Sequence, residues 1–324
     1  MYADVVAHRA RWPGRPGALL ILASCAACRS ETIPEPGSDR PATASARSAP
    51  TPPTSPPSFR WQAPVSVPVV ERIEAQGRRV TMEYVLDVCA GSSGSSRITA
   101  RSPRATEING TKPSATIARR VEAASAAQPT MVVDAQGALT GVTGLEAMLT
   151  RVAAEYPEQG IGDLKALLAS PHAEEAFLPA SKGRWDTWVG LWRRFAVPGD
   201  NPQEVADLPA SSSPTLVTFD GPTSSRGARL RGHRVFEGED LARLERSLLP
   251  SLGLNDSRLA GTLRRAEVEQ DVDTDWPELR PRTAHSRNTG VFRVDGSVQT
   301  FVEDHEYRFD WTAARRDGSR CNPP

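Results

Sequence analysis

The sequence has few of the features that would assign it directly to a class of protein. Among its 324 residues only four are Cys, aromatic residues make up 6%, and no apolar run reaches eighteen residues. Without such a run, no transmembrane helix is predicted. Basic and acidic residues each number 39, so the formal net charge is zero. A general nucleic-acid-binding protein needs a basic excess, so we expect no nucleic-acid partner.

Motifs of common enzymes are also missing from the sequence. It has no G-x-S-x-G elbow, P-loop or G-x-G-x-x-G loop, and its five His form no H-E-x-x-H motif. The run from Asp271 to Asp275 begins like a calcium loop, but Trp276 stands where such a loop needs Gly. We therefore assign no catalytic residue, metal ligand or cofactor. A hydrolase with an unrecognised site stays as one alternative.

The first 24 residues have the pattern of a secretory signal peptide. A region with three Arg precedes a short apolar run over residues 18–24, which is the order of charged and apolar regions in such signals. The run ends in Leu22-Ala23-Ser24-Cys25. These residues resemble the lipobox of bacterial lipoproteins. The resemblance implies removal of residues 1–24 and acylation of the Cys25 thiol.

The same resemblance implies a location for the protein. Ala26, and not Asp, follows the lipobox Cys, which in this family favours the outer membrane. Several acyl chains bury enough CH₂ groups to give stable membrane binding. We therefore expect an exported protein of the bacterial cell envelope, held at the membrane by its N-terminal acyl anchor. The rest of the chain resembles no characterised family.

A linker and a folded region are expected after the anchor. Residues 25–63 contain the lipobox Cys and a stretch rich in Pro, Ser and Thr with few large apolar residues. Such a stretch cannot bury enough surface to offset the entropy of ordering, so it is predicted to be a disordered tether. Residues 64–324 are predicted to form one α+β domain, with a split near 200–214 as the alternative.

Hydrophobic periodicity indicates the elements of this domain. Alternation predicts strands over 80–89, 266–273 and 301–311. Helical spacing predicts helices over 145–152, 163–169, 181–197 and 239–249. Turn signals for hairpins occur at 109–110, 134–137 and 295–296. Strands, then helices, then strands favour an α+β fold, a curved antiparallel sheet with helices packed on one face.

Two sets of residues in this domain are candidates for a site or a constraint. Trp185, Trp188 and Trp192 lie on one stripe of the third helix and are interpreted as its core face, with contacts to an apolar ligand as the alternative. Cys89 and Cys321 flank the domain and could form a disulfide in an oxidising compartment.

The sequence thus favours a lipid-anchored envelope protein with a non-catalytic binding, structural or protein-interaction domain. Its expected partners are the membrane and either an envelope protein or an apolar ligand. The main alternative is a carrier that holds a lipid or another apolar ligand between the sheet and the Trp-bearing helix.

Overall fold

Eleven antiparallel strands form one sheet in the part of the chain that the computed structural model describes. The described residues are 56–157, 173–194, 203–205, 214–222, 227–251, 263–294, 297–316 and 318–321. The strands are β1 (Val65–Ala75), β2 (Arg78–Ala90), β3 (Ser96–Ile108), β4 (Thr130–Val133), β5 (Leu139–Thr143), β6 (Gln203–Val205), β7 (Thr215–Pro222), β8 (Gly227–Phe236), β9 (Leu263–Asp275), β10 (Arg280–Val294) and β11 (Ser297–Phe309). The α-helices of these residues are α1 (Ala115–Ala126), α2 (Leu145–Glu155), α3 (Ala173–Trp185) and α4 (Gly238–Ser251).

The strand order follows the chain except at one seam. The order is β5-β4-β3-β2-β1-β11-β10-β9-β8-β7-β6. The first strand therefore pairs with the last, and Val69 lies opposite Phe309. On each side of this seam the strands pair with their neighbours in sequence, so the sheet consists of two meanders. The order ends at β5 and at β6, so the sheet is open.

One face of the sheet carries most of the core and is called the inner face below. Alternation along β1 places Val65, Val67 and Val69 on it, where they are 1–8% exposed. Their partners on β2 include Leu86 and Val88, which are 0–1% exposed. Burial of one face and hydration of the other is usual for antiparallel sheets. The predicted alternation of β2, β9 and β11 is confirmed.

After α3 the chain continues along the inner face as a wide π turn, Asp186–Gly190, and a 3₁₀ turn, Trp192–Arg194. Residues 173–194 together are called the tryptophan segment. The expected single helix over 181–197 therefore begins earlier and changes type at Asp186. The carbonyl of Asp186 accepts from the amide of Leu191, five residues on, which is the hydrogen bond of a π turn.

The sheet bends around the tryptophan segment. The Trp185 indole donates to the carbonyl of Gly137, in the β4–β5 turn, at 2.9 Å. Two residues further on, Thr187 accepts from Gln270 of β9 at 2.8 Å. In a flat sheet β4 and β9 would stand six strand spacings apart, about 29 Å at ~4.8 Å each. Neighbouring residues of one segment reach both strands because the sheet curves around them.

The described structure includes part of the segment expected to be linker. The amide of Ser58 donates to the carbonyl of Pro277 at 2.7 Å, and the Trp61 indole donates to that of Leu279 at 2.9 Å. Trp61 is 5% exposed and belongs to the main core cluster. The chain thus enters the domain against the β9–β10 turn, before the expected boundary at residue 64.

The remaining local expectations have mixed outcomes. The helices predicted over 145–152 and 239–249 are α2 and α4, and the hairpins joining β4 to β5 and β10 to β11 are confirmed. Asn109 and Gly110 have the positive φ values expected of the turn, and Ile108 pairs with Thr111 across it. The predicted turn is therefore present, but the chain then leads into α1 and not into a second full strand. The expected signal, anchor and helix over 163–169 lie outside the described residues, as does most of 200–214.

Candidate functional site

Aromatic side chains fill the inner face at the end of the sheet where the chain enters. Ring centroids of Trp61 lie 5.4 Å from Trp185, 5.2 Å from Trp311 and 5.5 Å from Phe59. The Trp188 ring meets Phe309 edge to face at 5.4 Å. Edge-to-face pairs at such distances are favourable contacts. This end of the sheet is therefore closed by the protein's own aromatic side chains.

The three Trp residues singled out from the sequence all lie in this packing. Trp185, Trp188 and Trp192 are 0%, 1% and 0% exposed. The Trp192 indole donates to the carbonyl of Thr187 at 2.9 Å, inside the same segment. A ligand could touch these indoles only by displacing side chains of the protein.

A buried charge cluster lies next to the aromatic residues. Glu71 of β1 is 3% exposed and Glu303 of β11 is 6% exposed. His305 lies between them, with Nδ1 3.1 Å from Glu71 Oε1 and Nε2 3.1 Å from Glu303 Oε1. Arg184, at the end of α3, brings Nη2 to 3.8 Å from Glu71 Oε1. The cluster thus joins the tryptophan segment to the two strands of the seam.

Burial and charge set the protonation of this cluster. Burial would raise the pKa of the Glu71 carboxyl, but the charge of Arg184 and the hydrogen bond from His305 outweigh it and lower that pKa. Burial would lower the pKa of His305, but hydrogen bonds to Glu303 and Glu71 raise it to about 9. Burial and the charge of Glu71 raise the pKa of Tyr84. At neutral pH the cluster therefore contains ionised Glu71, protonated His305 and charged Arg184.

An apolar rim borders this cluster on the side away from the aromatic residues. Its members are apolar, lie on the inner face by their register, are only partly buried and occupy six adjacent strands. They are Ile73, Val80, Ile108, Val268, Phe292 and Phe301. Ile73 lies directly opposite Val80 and, on its other side, opposite His305. The curved inner face therefore has a closed aromatic end, a polar middle and an apolar rim that reaches solvent.

The opposite face of the sheet is a charged, hydrated surface. Ion pairs such as Arg72–Glu306 at 3.4 Å and Arg104–Glu83 at 3.2 Å cross neighbouring strands, with side chains 47–71% exposed. A groove on this face is lined mainly by polar and charged side chains, including Glu74, Arg287 and Asp304. Exposed ion pairs contribute about 0–1 kcal/mol each. This outer face is thus poorly suited to an apolar ligand.

The structure joins Cys89 and Cys321 in a disulfide, with their Cα atoms 5.3 Å apart. Cys89 lies near the end of β2, and Cys321 belongs to a 3₁₀ turn after the last strand. Cys25 lies outside the described residues. Asp271, Asp273 and Asp275 lie on or at the end of β9 and not in a loop, so the calcium-loop pattern is part of a strand.

Sequence reasoning missed most of the buried charge cluster. Alternation over 301–311 predicted the strand that holds His305 and Glu303, but no sequence pattern assigned a role to Glu71 or Arg184. Glu71 interrupts the alternating apolar face of β1. That interruption was the available signal, because a charged residue on a buried face needs a partner.

Comparisons with known proteins give little further information. No protein-family model matches the chain, and no curated protein matches it in sequence. One solved structure that matches in part is described as "lipid-protein interactions in lipovitellin", with a TM-score of 0.45 and 7% sequence identity. The match covers 79% of this chain and 26% of that one, so this chain spans about a quarter of its length. In the described residues, no helix is both long and apolar enough to cross a membrane.

Proposed function

We propose that this chain is an exported, lipid-anchored protein of the bacterial envelope, and that its domain binds the apolar part of a lipid-like amphiphile at the apolar rim. One observation carries the ligand proposal: six partly exposed apolar side chains on six adjacent strands line the concave face of a curved sheet. Concave, mainly apolar surfaces with a few polar groups nearby are typical ligand sites. The binding activity needs no catalytic residue or cofactor.

The neighbouring charges indicate how such a ligand would lie. In the buried cluster Glu71 and Glu303 both contact His305, and Arg184 lies beside Glu71. These groups compensate one another, so they do not need a ligand charge. The acyl part would therefore cover the rim while its polar head stays in water. At about 0.8 kcal/mol per buried CH₂, eight methylene groups would supply roughly 6 kcal/mol.

Substitutions on the two faces of β2 test the ligand proposal. Val80 points to the rim and Val85 to the outer face of the same strand, and both are partly buried. Binding of a fluorescent polyene fatty acid to the full chain should weaken at least about fourfold with Val80→Ser, which removes a contact worth at least roughly one methylene group. Phe301→Ser should weaken it further, and Val85→Ser should leave it unchanged.

Circular dichroism would first establish that each variant is folded. Equal affinities for Val80→Ser, Phe301→Ser and the parent chain would contradict binding at the rim. Equal weakening by Val85→Ser would also contradict it, because that side chain lies on the other face.

The anchor is tested by substituting one Cys at a time. Cys25→Ala should leave an unprocessed chain that incorporates no labelled palmitate, because it removes the thiol of the lipobox. Cys28→Ala, three residues away, should be processed and labelled as the parent chain is. Labelled, shortened Cys25→Ala protein would refute acylation at Cys25.

A further inference from the structure

Three potential metal ligands converge on the outer face of the sheet. One ring nitrogen of His233 and one carboxylate oxygen from each of Glu267 and Glu269 lie within 4.8 Å of one another. His233 of β8 is directly opposite Glu269 of β9, and Glu267 is two residues away on the same face of β9. His233 Nε2 lies 2.6 Å from Glu267 Oε1. Two paired strands hold all three groups, so little ordering is needed to bring their donor atoms together.

The other histidines of the described residues have a different arrangement. His285 has one carboxylate at each ring nitrogen, Asp271 at 3.0 Å from Nδ1 and Asp304 at 2.7 Å from Nε2. His305 likewise lies between Glu71 and Glu303. In both cases the ring separates the two carboxylates, so no ion could contact all three groups at one point. At His233 the donor atoms of all three groups lie within 4.8 Å of one another instead.

We propose that His233, Glu267 and Glu269 bind a Zn²⁺ ion at the surface of the sheet. An imidazole nitrogen with carboxylate oxygens suits a borderline ion such as Zn²⁺, whereas Mg²⁺ and Ca²⁺ prefer oxygen ligands alone. Three protein ligands leave a fourth position for water, as in zinc sites that are open to solvent. The His233 side chain is 41% exposed, so water can reach this position.

Binding changes the local hydrogen bonds in a defined way. The ion takes the place of the contact between His233 Nε2 and Glu267 Oε1, and the imidazole carries its proton on Nδ1. Arg265 Nη2 lies 2.8 Å from Glu267 Oε2, and its positive charge opposes a cation at this point. Arg265→Gln should therefore strengthen zinc binding, opposite to the effect of removing a ligand.

Isothermal titration with ZnCl₂ tests this site on the full chain with Cys25 and Cys28 replaced by Ala, which removes thiols that could also bind zinc. We expect one ion per chain. Affinity should fall at least about tenfold with His233→Ala or Glu267→Gln, because even the loss of groups that only support a ligand costs 10–100-fold. His285→Ala should leave the affinity unchanged.

Either of two results would overturn the proposal. If His233→Ala and Glu267→Gln bound zinc with the affinity of the parent chain, the ion would bind elsewhere. Absence of binding to the parent chain at 1 mM ZnCl₂, a concentration on the order of the weakest specific metal sites, would show that the three groups form no site. Circular dichroism of each variant separates loss of the site from loss of the fold.

Discussion

Glu71 carries a charge at a position that is almost completely buried. A carboxylate that is 3% exposed has lost nearly all of its hydration, and an unpaired charge in such a place costs several kcal/mol. His305 and Arg184 supply the compensating charge from a strand and from α3. The three residues therefore depend on one another, and removing one charge leaves the others buried without compensation.

This dependence predicts a loss of stability in mild alkali. The pKa of His305 is about 9 in the folded protein and about 6.5 in an unfolded chain. A raised pKa stabilises the fold fully below pH 6.5, and that contribution disappears as the pH rises through 9. By linkage, protonation of His305 contributes about 3 kcal/mol to the free energy of unfolding. Urea unfolding of the parent chain at pH 6 and pH 9.5 should show this loss.

His305→Gln serves as the comparison for the pH experiment. The variant should be less stable than the parent at pH 6, and its free energy of unfolding should change less between the two pH values. His285 also has a raised pKa and contributes to both proteins equally. The same pH dependence in parent and variant would show that His305 is not the group that titrates.

Among the elements, the tryptophan segment determines how the open sheet curves around its core. It contacts the β4–β5 turn through Trp185, β9 through Thr187 and β8 through Leu191. Strands from both meanders thus pack against one short segment. The π turn at Asp186–Gly190 adds a residue to the helix. It lies where the contacts of the segment change from strands of the first meander to strands of the second.

Two strand glycines provide a test of this packing. A Cβ atom at Gly232 of β8 would lie 2.8 Å from Leu191 Cδ2 and 3.3 Å from the Trp192 ring, whereas one at Gly141 of β5 would meet nothing within 4 Å. Overpacking costs about 1–3 kcal/mol. Gly232→Ala should therefore lower the free energy of unfolding by this amount and alter the near-ultraviolet dichroism of the Trp residues.

Gly141→Ala is the matched control, since it adds the same methyl group to a strand. It should leave both the free energy of unfolding and the Trp spectrum close to those of the parent chain. If the two variants had equal stability, the tryptophan segment would not pack against β8 as described.

The elements were predictable where periodicity is strong, and the contacts between distant elements were not. Alternation identified β2 and β11, and the spacing of Leu145, Met148 and Val152 identified α2. Sequence spacing gives no information on contacts such as that between Glu71 and His305, which are 234 positions apart. The convergence of His233 with Glu267 depends on the β8–β9 register, which an unaligned sequence does not specify.

For the molecule as a whole, the disulfide closes a loop that contains nine of the eleven described strands, β3 to β11. Cys89 and Cys321 are 232 positions apart. Cys89 lies in the first meander and Cys321 follows the second, so the bond connects both sides of the seam. A crosslink over so long a loop lowers the entropy of the unfolded chain by an amount worth about 5 kcal/mol at most.

Removal of this bond should therefore destabilise the whole domain. The double variant Cys89→Ser/Cys321→Ser should unfold at lower urea concentration, with a free energy of unfolding lower by roughly 2–5 kcal/mol. Cys28→Ala should have no such effect. Unchanged stability of the double variant would mean that the unfolded chain is compact without the crosslink.

The pairing of β1 with β11 also determines when during synthesis the middle of the sheet can form. Synthesis delivers β11 after the ten other described strands, and Arg72 and Glu306 of this pair are 234 positions apart. Until β11 emerges, one side of β1 has unpaired amide and carbonyl groups, which can pair with another chain. The meanders can form from local pairs before that moment. The nascent chain thus has an open edge in the middle of its future sheet until the last strand arrives.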